Sequence, residues 1–277
     1  LLVALVYGSS AATKGAIEGT GHTIGYGELE EEWRGEVIHL SWSPRAFYLQ
    51  KFLTEEECDH IMKKAKPRLE KSQVVDSSTG GSVPSEARTS SGTFLSKRED
   101  DVIARIEKRV AQVTMIPVEN QENLQVLKYI DGQKYVPHYD YFHDATNARV
   151  EMGGQRVLTV LMYLTTPDDG GETVFPNAEG SIQNEGDHWS PCARKGLAVK
   201  AVRGDAVMFY SLKPDGSLDP SSLHESCPAL AGEKWSATKW IRVGPIGKPT
   251  AEVRNEQVHR QFDAGDCVDL DEMCSEW

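Results

Sequence analysis

No apolar stretch in this sequence is as long as a membrane-spanning helix. A helix needs about 20 apolar residues to cross the hydrocarbon core of a bilayer, and the apolar run that opens the chain, Leu1 to Val6, has six. We expect residues 1–34 to be a flexible lead-in, or the remnant of a signal peptide or membrane anchor whose remainder is not part of this chain.

Cysteine is scarce, and its spacing excludes the common metal and redox motifs. The five cysteines are Cys58, Cys192, Cys227, Cys267 and Cys274. None forms a CxxC pair, so the sequence has neither a zinc ribbon nor a thioredoxin-like motif. It also lacks an Asn-x-Ser/Thr sequon, so glycosylation sites give no sign of secretion.

Positive charge is in deficit. Against 42 Asp and Glu there are 30 Lys and Arg, which gives a formal net charge of -12. A broad basic surface that would follow a phosphate backbone is therefore not expected, and we expect no nucleic-acid partner. The hydrophobic content of 39% is that of an ordinary folded protein.

Two helices are predicted from capping signals that precede helically spaced apolar residues. A capping box at residues 54–57 precedes the first helix, which Pro67 should end, and a box at residues 96–99 precedes the second. The apolar residues that define their buried faces are Cys58, Ile61, Met62 and Ala65, then Val102, Ile103, Ile106, Val110 and Val113.

After Pro117 the pattern changes to short β-type runs separated by Gly-containing turns. The predicted strands are residues 124–130, 157–165, 173–175, 197–202, 206–212 and 235–243. Many short strands at this spacing favour a sandwich or barrel with helices packed outside. The polar segment 72–91 between the two helices is predicted to be a loop, either solvated or acting as a lid over a site.

The most informative segment for chemistry is residues 135–143. In an extended segment residues i and i+2 face the same way, so His138 and Asp140 should project together. This pair alone is weak evidence, since an ordinary structural histidine gives the same pattern. A third ligand is available in His224, just before the last strong strand. Two imidazoles and one carboxylate with open positions are the ligand set of non-haem Fe(II) oxygenases.

Lys234 strengthens this interpretation. It lies on the last predicted strand, ten residues after His224. A lysine whose stem is buried and whose ammonium faces a cavity needs an anion. A dicarboxylate that chelates the metal at one end and pairs with Lys234 at the other would satisfy both groups. Glu172 and Glu225 are also near the site in sequence, but we expect them to be solvated, as carboxylates in so acidic a chain usually are.

Taken together, several segments resemble the prolyl 4-hydroxylases, closest to the plant and green-algal type. The matching segments are His138-Tyr139-Asp140, Gly153-Gly154-Gln155-Arg156, residues 170–176, Lys213-Pro214-Asp215, residues 218–224 and residues 234–240. The resemblance covers about residues 36–243. It implies an α+β fold with a double-stranded β-helix (jelly-roll) core and flanking N-terminal helices. Residues 35–246 would form the catalytic domain.

The resemblance also implies a metal and a co-substrate. His138, Asp140 and His224 would hold Fe(II), and Lys234 would hold the far carboxylate of 2-oxoglutarate. The other pocket residues implied are Tyr129 and Thr173, which would hydrogen-bond that carboxylate, and Trp240, which would pack beside it. With O2, the implied reaction converts 2-oxoglutarate to succinate and CO2 and hydroxylates C4 of a peptidyl proline. Ascorbate is expected as a further cofactor.

A proline-rich polypeptide is the expected partner, because polyproline II chains are stiff and dock in aromatic-lined grooves. By resemblance, Tyr135, Arg156, Arg88 and Ser90 would contact this peptide. The resemblance favours an enzyme that acts without an obligatory second subunit. The expected products are hydroxyproline-containing proteins such as cell wall glycoproteins.

A disulfide between Cys192 and Cys227 is expected if the fold is as implied, since Cys227 follows a metal ligand by three residues. Such a bond needs an oxidising lumen, so we expect the endoplasmic reticulum or Golgi, with possible membrane anchoring of a longer chain. Residues 247–277 are expected to be a linker and the truncated start of a module that resembles ShK toxin.

Three alternatives stay open. The same fold and ligands could hydroxylate peptidyl lysine or another side chain. A jelly-roll module that has lost its chemistry could bind sugars or proline-rich peptides. A zinc hydrolase could use the same histidines, although Lys234 would then have no evident role.

Overall fold

The computed structural model describes residues 33–75, 81–84, 86–179 and 189–247. The predicted lead-in up to residue 32 and the predicted C-terminal segment from residue 248 lie outside these residues, as do positions 76–80 and 85 of the predicted loop. The domain boundaries therefore stay a prediction. Within the described residues, no helix is long and apolar enough to cross a membrane.

The described chain contains two α-helices, α1 (Glu55–Ala65) and α2 (Asp101–Thr114). The first eight strands are β1 (Val37–Trp42), β2 (Arg45–Leu49), β3 (Glu70–Lys71), β4 (Gln73–Val75), β5 (Ser82–Pro84), β6 (Ser91–Leu95), β7 (Leu124–Tyr129) and β8 (Tyr135–His138). The remaining strands are β9 (Arg156–Tyr163), β10 (Asp169–Gly170), β11 (Thr173–Phe175), β12 (Leu197–Val199), β13 (Ala206–Tyr210), β14 (His224–Ser226), β15 (Ala229–Ala231) and β16 (Lys234–Arg242).

Helix α1 begins where the capping box predicts. The Thr54 hydroxyl accepts from the amide of Glu57, and the Glu57 carboxylate accepts from the amide of Thr54. The helix ends at Ala65, and a short 3-10 turn that contains Pro67 follows it. On its apolar face Cys58, Ile61 and Ala65 are fully buried and Met62 is half-buried.

Helix α2 begins later than its predicted box. Its N-cap is Asp100, whose carboxylate accepts from the amide of Ile103. Ser96 and Glu99 form only half of a box, with the Ser96 amide donating to the Glu99 side chain. The chain cannot be helical there because Arg98 has a left-handed backbone conformation, with φ of 52°. The prediction of an N-cap at Ser96 was therefore wrong.

Two antiparallel sheets form the core of the fold. The larger, which we call the major sheet, has the described order β1-β2-β13-β9-β16-β7-β6-β3, and the minor sheet has the order β12-β11-β14-β8. Both helices pack on one face of the major sheet. Between the two sheets lies a second apolar cluster that includes Tyr163, Phe175 and Phe209. This is the predicted α+β architecture, a jelly-roll core with N-terminal helices outside it.

The six strands predicted after Pro117 are present with small shifts at their ends. The prediction missed β1 and β2, which precede α1 and extend the major sheet. The described part of the predicted loop 72–91 is not irregular throughout, because β4 and β5 form a two-stranded hairpin within it. A polar sequence forms such a hairpin because its hydrogen bonds come from the backbone.

Candidate active site

The three predicted ligands converge at the end of the minor sheet. His138 is the last residue of β8 and His224 the first residue of β14, and the two are paired in register. Their Nε2 atoms each lie 3.7 Å from a carboxylate oxygen of Asp140. The three ligand atoms lie within 4.8 Å of one another. The antiparallel pairing of two strands distant in sequence therefore brings these three side chains together, and we call the three residues the metal cluster.

The backbone orients both imidazoles. Nδ1 of His138 lies 2.9 Å from the carbonyl oxygen of Val136, and Nδ1 of His224 lies 3.0 Å from that of Ser222. Nδ1 must carry the hydrogen to donate to a carbonyl, so Nε2 is left with a lone pair directed at the cluster. Burial, with the neighbouring His224 adding to it, lowers the pKa of His138 to about 3. A neutral imidazole is the form that binds metal.

Asp140 is ionised and fixed in position. Burial alone would raise its pKa, but the two imidazoles, Arg156 and the Thr159 hydroxyl outweigh that effect and lower the pKa to about 2. Thr159 on β9 donates its hydroxyl to Oδ2 of Asp140 at 2.7 Å. Two imidazole nitrogens and one fixed carboxylate on one side of a cavity fit a ferrous ion that keeps open positions.

Lys234, the first residue of β16, is a buried cation without a carboxylate partner among the described residues. Its Nζ donates to the Ser226 hydroxyl at 2.8 Å, and it lies 5.5 Å from the ring centre of Tyr129 and 5.8 Å from that of Tyr163. Burial lowers its pKa to about 7, although the negative charge of Glu172 partly opposes the shift. A buried ammonium with only a hydroxyl partner fits an anionic ligand.

Glycines of the predicted motif allow the close packing around this lysine. Gly171 has a φ of 71°, and a Cβ there would lie 3.3 Å from Cδ of Lys234. A Cβ on Gly170 would lie 2.2 Å from the carbonyl oxygen of Pro228. Both positions need glycine, since each combines positive φ with a close neighbour.

Tyr129 and Thr173 lie in the same inner pocket as Lys234 and the metal cluster. This pocket is also lined by His138, Asp140 and His224. Tyr129 is paired in register with Lys234. Thr173 is almost fully buried and accepts a hydrogen bond of 3.0 Å from the Tyr163 hydroxyl, which leaves its own hydroxyl hydrogen free for another acceptor.

Glu172 and Glu225 are buried, so the expectation that they are solvated was wrong. Only 3% of Glu172 and 6% of Glu225 are exposed. The Glu172 carboxylate accepts from both the amide and the hydroxyl of Ser190, which satisfies a buried charge. Nζ of Lys195 lies 3.6 Å from Oε1 of Glu225. Sequence composition could not show this, because the partners come from distant segments.

A larger cleft of about 730 Å³ opens from the metal cluster to the surface. His138 and Asp140 lie in its wall, and Tyr135 and Arg88 lie beside them. Tyr135 stacks on His138 with ring centres 3.5 Å apart, and the Arg88 guanidinium lies 4.8 Å from the Tyr135 ring centre. Arg88 also donates to Oε1 of Gln125 at 2.7 Å. Two residues predicted to contact a peptide thus lie beside the predicted metal ligand His138.

Arg156 and Trp240 form another part of the cleft wall. The Arg156 guanidinium makes two hydrogen bonds of 2.8 Å to the carboxylate of Glu122 and stacks 3.7 Å from the ring centre of Trp240. Trp240 lines both the cleft and the inner pocket. Glu122 also receives a hydrogen bond from Arg242. The position of Arg156 is therefore fixed by ion pairs that sequence spacing did not indicate.

Ser90 is not brought into the cleft. It is fully buried and donates to the hydroxyl of Ser72 at 3.0 Å, and Ser72 itself lies in the cleft wall. Ser72 therefore lies between Ser90 and the cleft surface that a peptide would contact. His143, by contrast, is exposed and lines the cleft, in ring contact with Tyr139 and Tyr141.

Cys192 and Cys227 form a disulfide, with Cα atoms 5.7 Å apart. The bond ties the segment before β12 to the end of β14, the strand that carries His224. Among the described cysteines, Cys58 is free and buried. The structure therefore contains the disulfide that was expected between these two cysteines.

Sequence reasoning missed several residues of the site, of which Thr159 and Gln125 are the most informative. Both are polar residues within apolar strands that the sequence predicted, and both face the cavity between the sheets. The signal that could have identified them is their spacing: each lies an even number of positions along its strand from residues that face the cavity, so it faces the cavity too. Their partners, Asp140 and Arg88, could not be known without strand register.

Comparisons with known proteins agree with this geometry. Residues 124–242 match the sequence profile of the 2OG-Fe(II) oxygenase superfamily. The chain is 51% identical over 243 residues to a protein named probable prolyl 4-hydroxylase 6 from Arabidopsis thaliana, an alignment that covers 87% of this chain and 79% of the relative. It is 54% identical over 221 residues to prolyl 4-hydroxylase 5 of the same plant, with 77% and 74% covered.

A solved structure gives the same result for the fold. The viral collagen prolyl hydroxylase of Paramecium bursaria Chlorella virus-1, determined as a complex with 2-oxoglutarate, superposes with a TM-score of 0.53 at 26% sequence identity. The match covers 71% of this chain and 95% of the viral protein. The resemblance drawn from the sequence motifs is confirmed.

Proposed function

Because the chain belongs to the prolyl 4-hydroxylase family of 2-oxoglutarate- and Fe(II)-dependent oxygenases, we propose that it hydroxylates C4 of prolines in proline-rich polypeptides bound as polyproline II helices. The observation that carries this proposal is the convergence of His138, Asp140 and His224 beside buried Lys234, at the base of an aromatic cleft. The intact ligand set favours an enzyme over a binding module, and the relatives favour proline over lysine.

The metal-binding residues supply orientation and charge. His138, Asp140 and His224 would hold Fe(II), and the ion, when bound, couples decarboxylation of 2-oxoglutarate by O2 to oxidation of a C–H bond. The protein needs no nucleophile for this reaction. Its tasks are to keep His138 neutral, to hold the Asp140 carboxylate through Thr159 and to leave coordination positions open.

Lys234 is the anchor proposed for the carboxylate of 2-oxoglutarate that is distant from the metal. A charge-assisted hydrogen bond from its ammonium, with Thr173 donating beside it, would replace the water that the carboxylate loses. The Tyr129 ring closes the pocket on one side. Since the binding site is buried, the ion pair would be weakly screened by salt.

The cleft has the chemistry expected for a polyproline II peptide. Such a chain has no internal hydrogen bonds and presents flat pyrrolidine rings, so it docks on aromatic faces with a few donors to its carbonyl groups. Tyr135 offers its hydroxyl and ring edge next to His138, while Arg88 and Arg156 supply donors. In these roles the three residues would hold the target proline beside His138, Asp140 and His224.

The compartment and the reductant are further parts of the proposal. The disulfide between Cys192 and Cys227 favours an oxidising lumen, because such bonds are rare in reducing compartments. We assign the enzyme to the endoplasmic reticulum or Golgi, where cell wall glycoproteins are made. Ascorbate would keep the metal ferrous, and no second subunit would be required.

The test is to incubate the protein with Fe(II), 2-oxoglutarate and ascorbate and with either a polyproline peptide or a collagen-like peptide. The expected result is one added oxygen per modified proline by mass spectrometry, with one succinate released for each. A peptide with lysine in place of proline serves as the control. Oxygen addition to lysine alone, or peptide binding without succinate, would contradict the proposal.

A further inference from the structure

Phe94 is an exposed aromatic residue in the wall of the active-site cleft. About half of it, 52%, is accessible to solvent, although β6 lies between two other strands of the major sheet. It lines the same 730 Å³ cleft as His138 and Asp140. Single exposed apolar residues are common, so its significance depends on where the ring lies relative to the metal cluster.

Strand register places Phe94 at the outer end of a row of residues that begins in the inner pocket. Phe94 is paired with Gln125, Gln125 with Thr238 and Thr238 with Leu161. Residues directly opposite on neighbouring strands project to the same face of a sheet. Gln125, Thr238 and Leu161 all line the inner pocket. The Phe94 ring therefore continues the surface of the active site outward.

The row gives an approximate distance in units of a bound peptide. The row starts on β9, which touches the metal ligands through the hydrogen bond from Thr159 to Asp140, and from β9 to β6 there are three strand spacings of about 4.8 Å, or about 14 Å in total. A polyproline II chain advances about 3.1 Å per residue. A peptide whose target proline lies at the metal would thus need about four or five further residues to reach Phe94.

The surroundings of Phe94 favour an uncharged residue. Of the charged side chains on this side of the cleft, Arg68 is paired with Glu99 at 2.9 Å and Lys71 with Glu86 at 3.5 Å, while Glu70 lines the same wall. Among the exposed large apolar residues that the structure describes, Phe94 is the one that lines the cleft. A flat aromatic face suits a pyrrolidine ring better than a charged side chain.

We propose that Phe94 forms a distal subsite that binds a proline about four or five residues from the one being hydroxylated. The inference rests on the proposed function, because it concerns the same peptide. Such a subsite makes the enzyme selective for long proline-rich segments. Part of that selectivity then comes from Phe94, a residue outside the metal site.

The experiment compares KM for polyproline peptides of about 4 and about 12 residues in the wild type and in Phe94→Ala. In the wild type the long peptide should have the lower KM. In Phe94→Ala the KM of the long peptide should rise about fivefold to tenfold, the effect of losing one aromatic contact, so that the ratio of the two KM values approaches one. Phe94→Trp should restore the ratio.

Trp42→Ala is the matched control, since Trp42 is also an exposed aromatic residue on a strand of the major sheet, 71% accessible, but lies outside the cleft. The control should keep the wild-type ratio. If Phe94→Ala also keeps the wild-type ratio of the two KM values, the proposal of a distal subsite is wrong, while the proposed hydroxylase function is unaffected. If the wild type hydroxylates no peptide of either length, the proposed function itself fails.

Discussion

Thr159 donates its hydroxyl to Oδ2 of Asp140 at 2.7 Å. Asp140 follows β8 in the minor sheet, whereas Thr159 lies in the middle of β9 in the major sheet. The hydrogen bond therefore connects the two sheets at the metal cluster. It also uses part of the capacity of one carboxylate oxygen, which leaves the remaining lone pairs for the position that the two Nε2 atoms face.

Thr159→Val should weaken metal binding without unfolding the protein. Valine keeps the shape of the side chain but removes the hydroxyl, so the Asp140 carboxylate loses its orienting partner. Loss of such an outer partner costs about 10- to 100-fold in metal affinity. The measurement is the Kd for Co(II) or Fe(II) by calorimetry. Thr159→Ser keeps the donor and should remain near wild type; equal Kd values for all three proteins would show that the hydrogen bond is unimportant.

Binding of 2-oxoglutarate should weaken as the pH rises above neutrality. Burial lowers the pKa of Lys234 to about 7, so below that pH the ammonium is present, whereas above it the neutral amine must take up a proton before it can pair. The Kd should increase by about tenfold per pH unit above 7, until the pH reaches the pKa of Lys234 in the complex. Calorimetry in buffers of different ionisation enthalpy would measure the proton uptake.

Glu172→Gln provides the control for this pH dependence. The negative charge of Glu172 raises the pKa of Lys234 and so opposes the effect of burial. Without it, the pKa should fall further and the weakening of 2-oxoglutarate binding should begin at lower pH. A Kd that does not change between pH 6 and 9, or no shift in Glu172→Gln, would exclude Lys234 as the titrating anchor.

Removing the disulfide should lower stability by about 4 kcal/mol. Cys192 and Cys227 are 35 residues apart in the sequence, and closing a loop of this size restricts the unfolded chain by about that amount in the chain-entropy account. Urea unfolding of the Cys192→Ala, Cys227→Ala double variant against the wild type would measure it. Cys58→Ala is the comparison for loss of a buried thiol. A reducing agent should destabilise the wild type and leave the double variant unchanged.

The buried ion pair between Glu107 and Lys239 should show compensation between mutations. Both side chains are inaccessible to solvent, with Nζ 2.5 Å from Oε1. Lys239→Met leaves a buried carboxylate without its partner and should lower the free energy of unfolding by about 3 to 5 kcal/mol. The double variant with Glu107→Gln should recover much of that loss, as measured by urea unfolding. A double variant as unstable as Lys239→Met would argue against a charge effect.

The sequence predicts those parts of the molecule that depend on local spacing. The alternation of an extended segment predicts that His138 and Asp140 project together, and they do, although β8 ends at His138 and Asp140 follows it. The capping box predicts the start of α1. The N-cap of α2 could not be predicted, because Asp100 competes with Ser96 and the left-handed conformation of Arg98 decides between them. The position of His224 before the last strong strand made it a candidate third ligand, and the family resemblance supplied its role.

Features that depend on strand register were not predictable. Thr159 becomes a support for Asp140 only because two sheets face each other at that point. Glu172 directly precedes β11. It can be buried because Ser190, which is distant from β11 in the sequence, supplies two hydrogen-bond donors. Ser90 was expected at the peptide, but strand geometry turns it towards Ser72. In each case the missing information is which distant residue lies opposite.

The pairing of β8 with β14 has a consequence for when iron can be acquired. Two of the ligands emerge from the ribosome early, but the third belongs to a strand near the end of the domain. A nascent chain that stops before residue 224 offers one imidazole and one carboxylate, too few to retain a ferrous ion against competing chelators. Loading must therefore wait until β14 has been translated, so possession of the metal reports that β8 and β14 have paired.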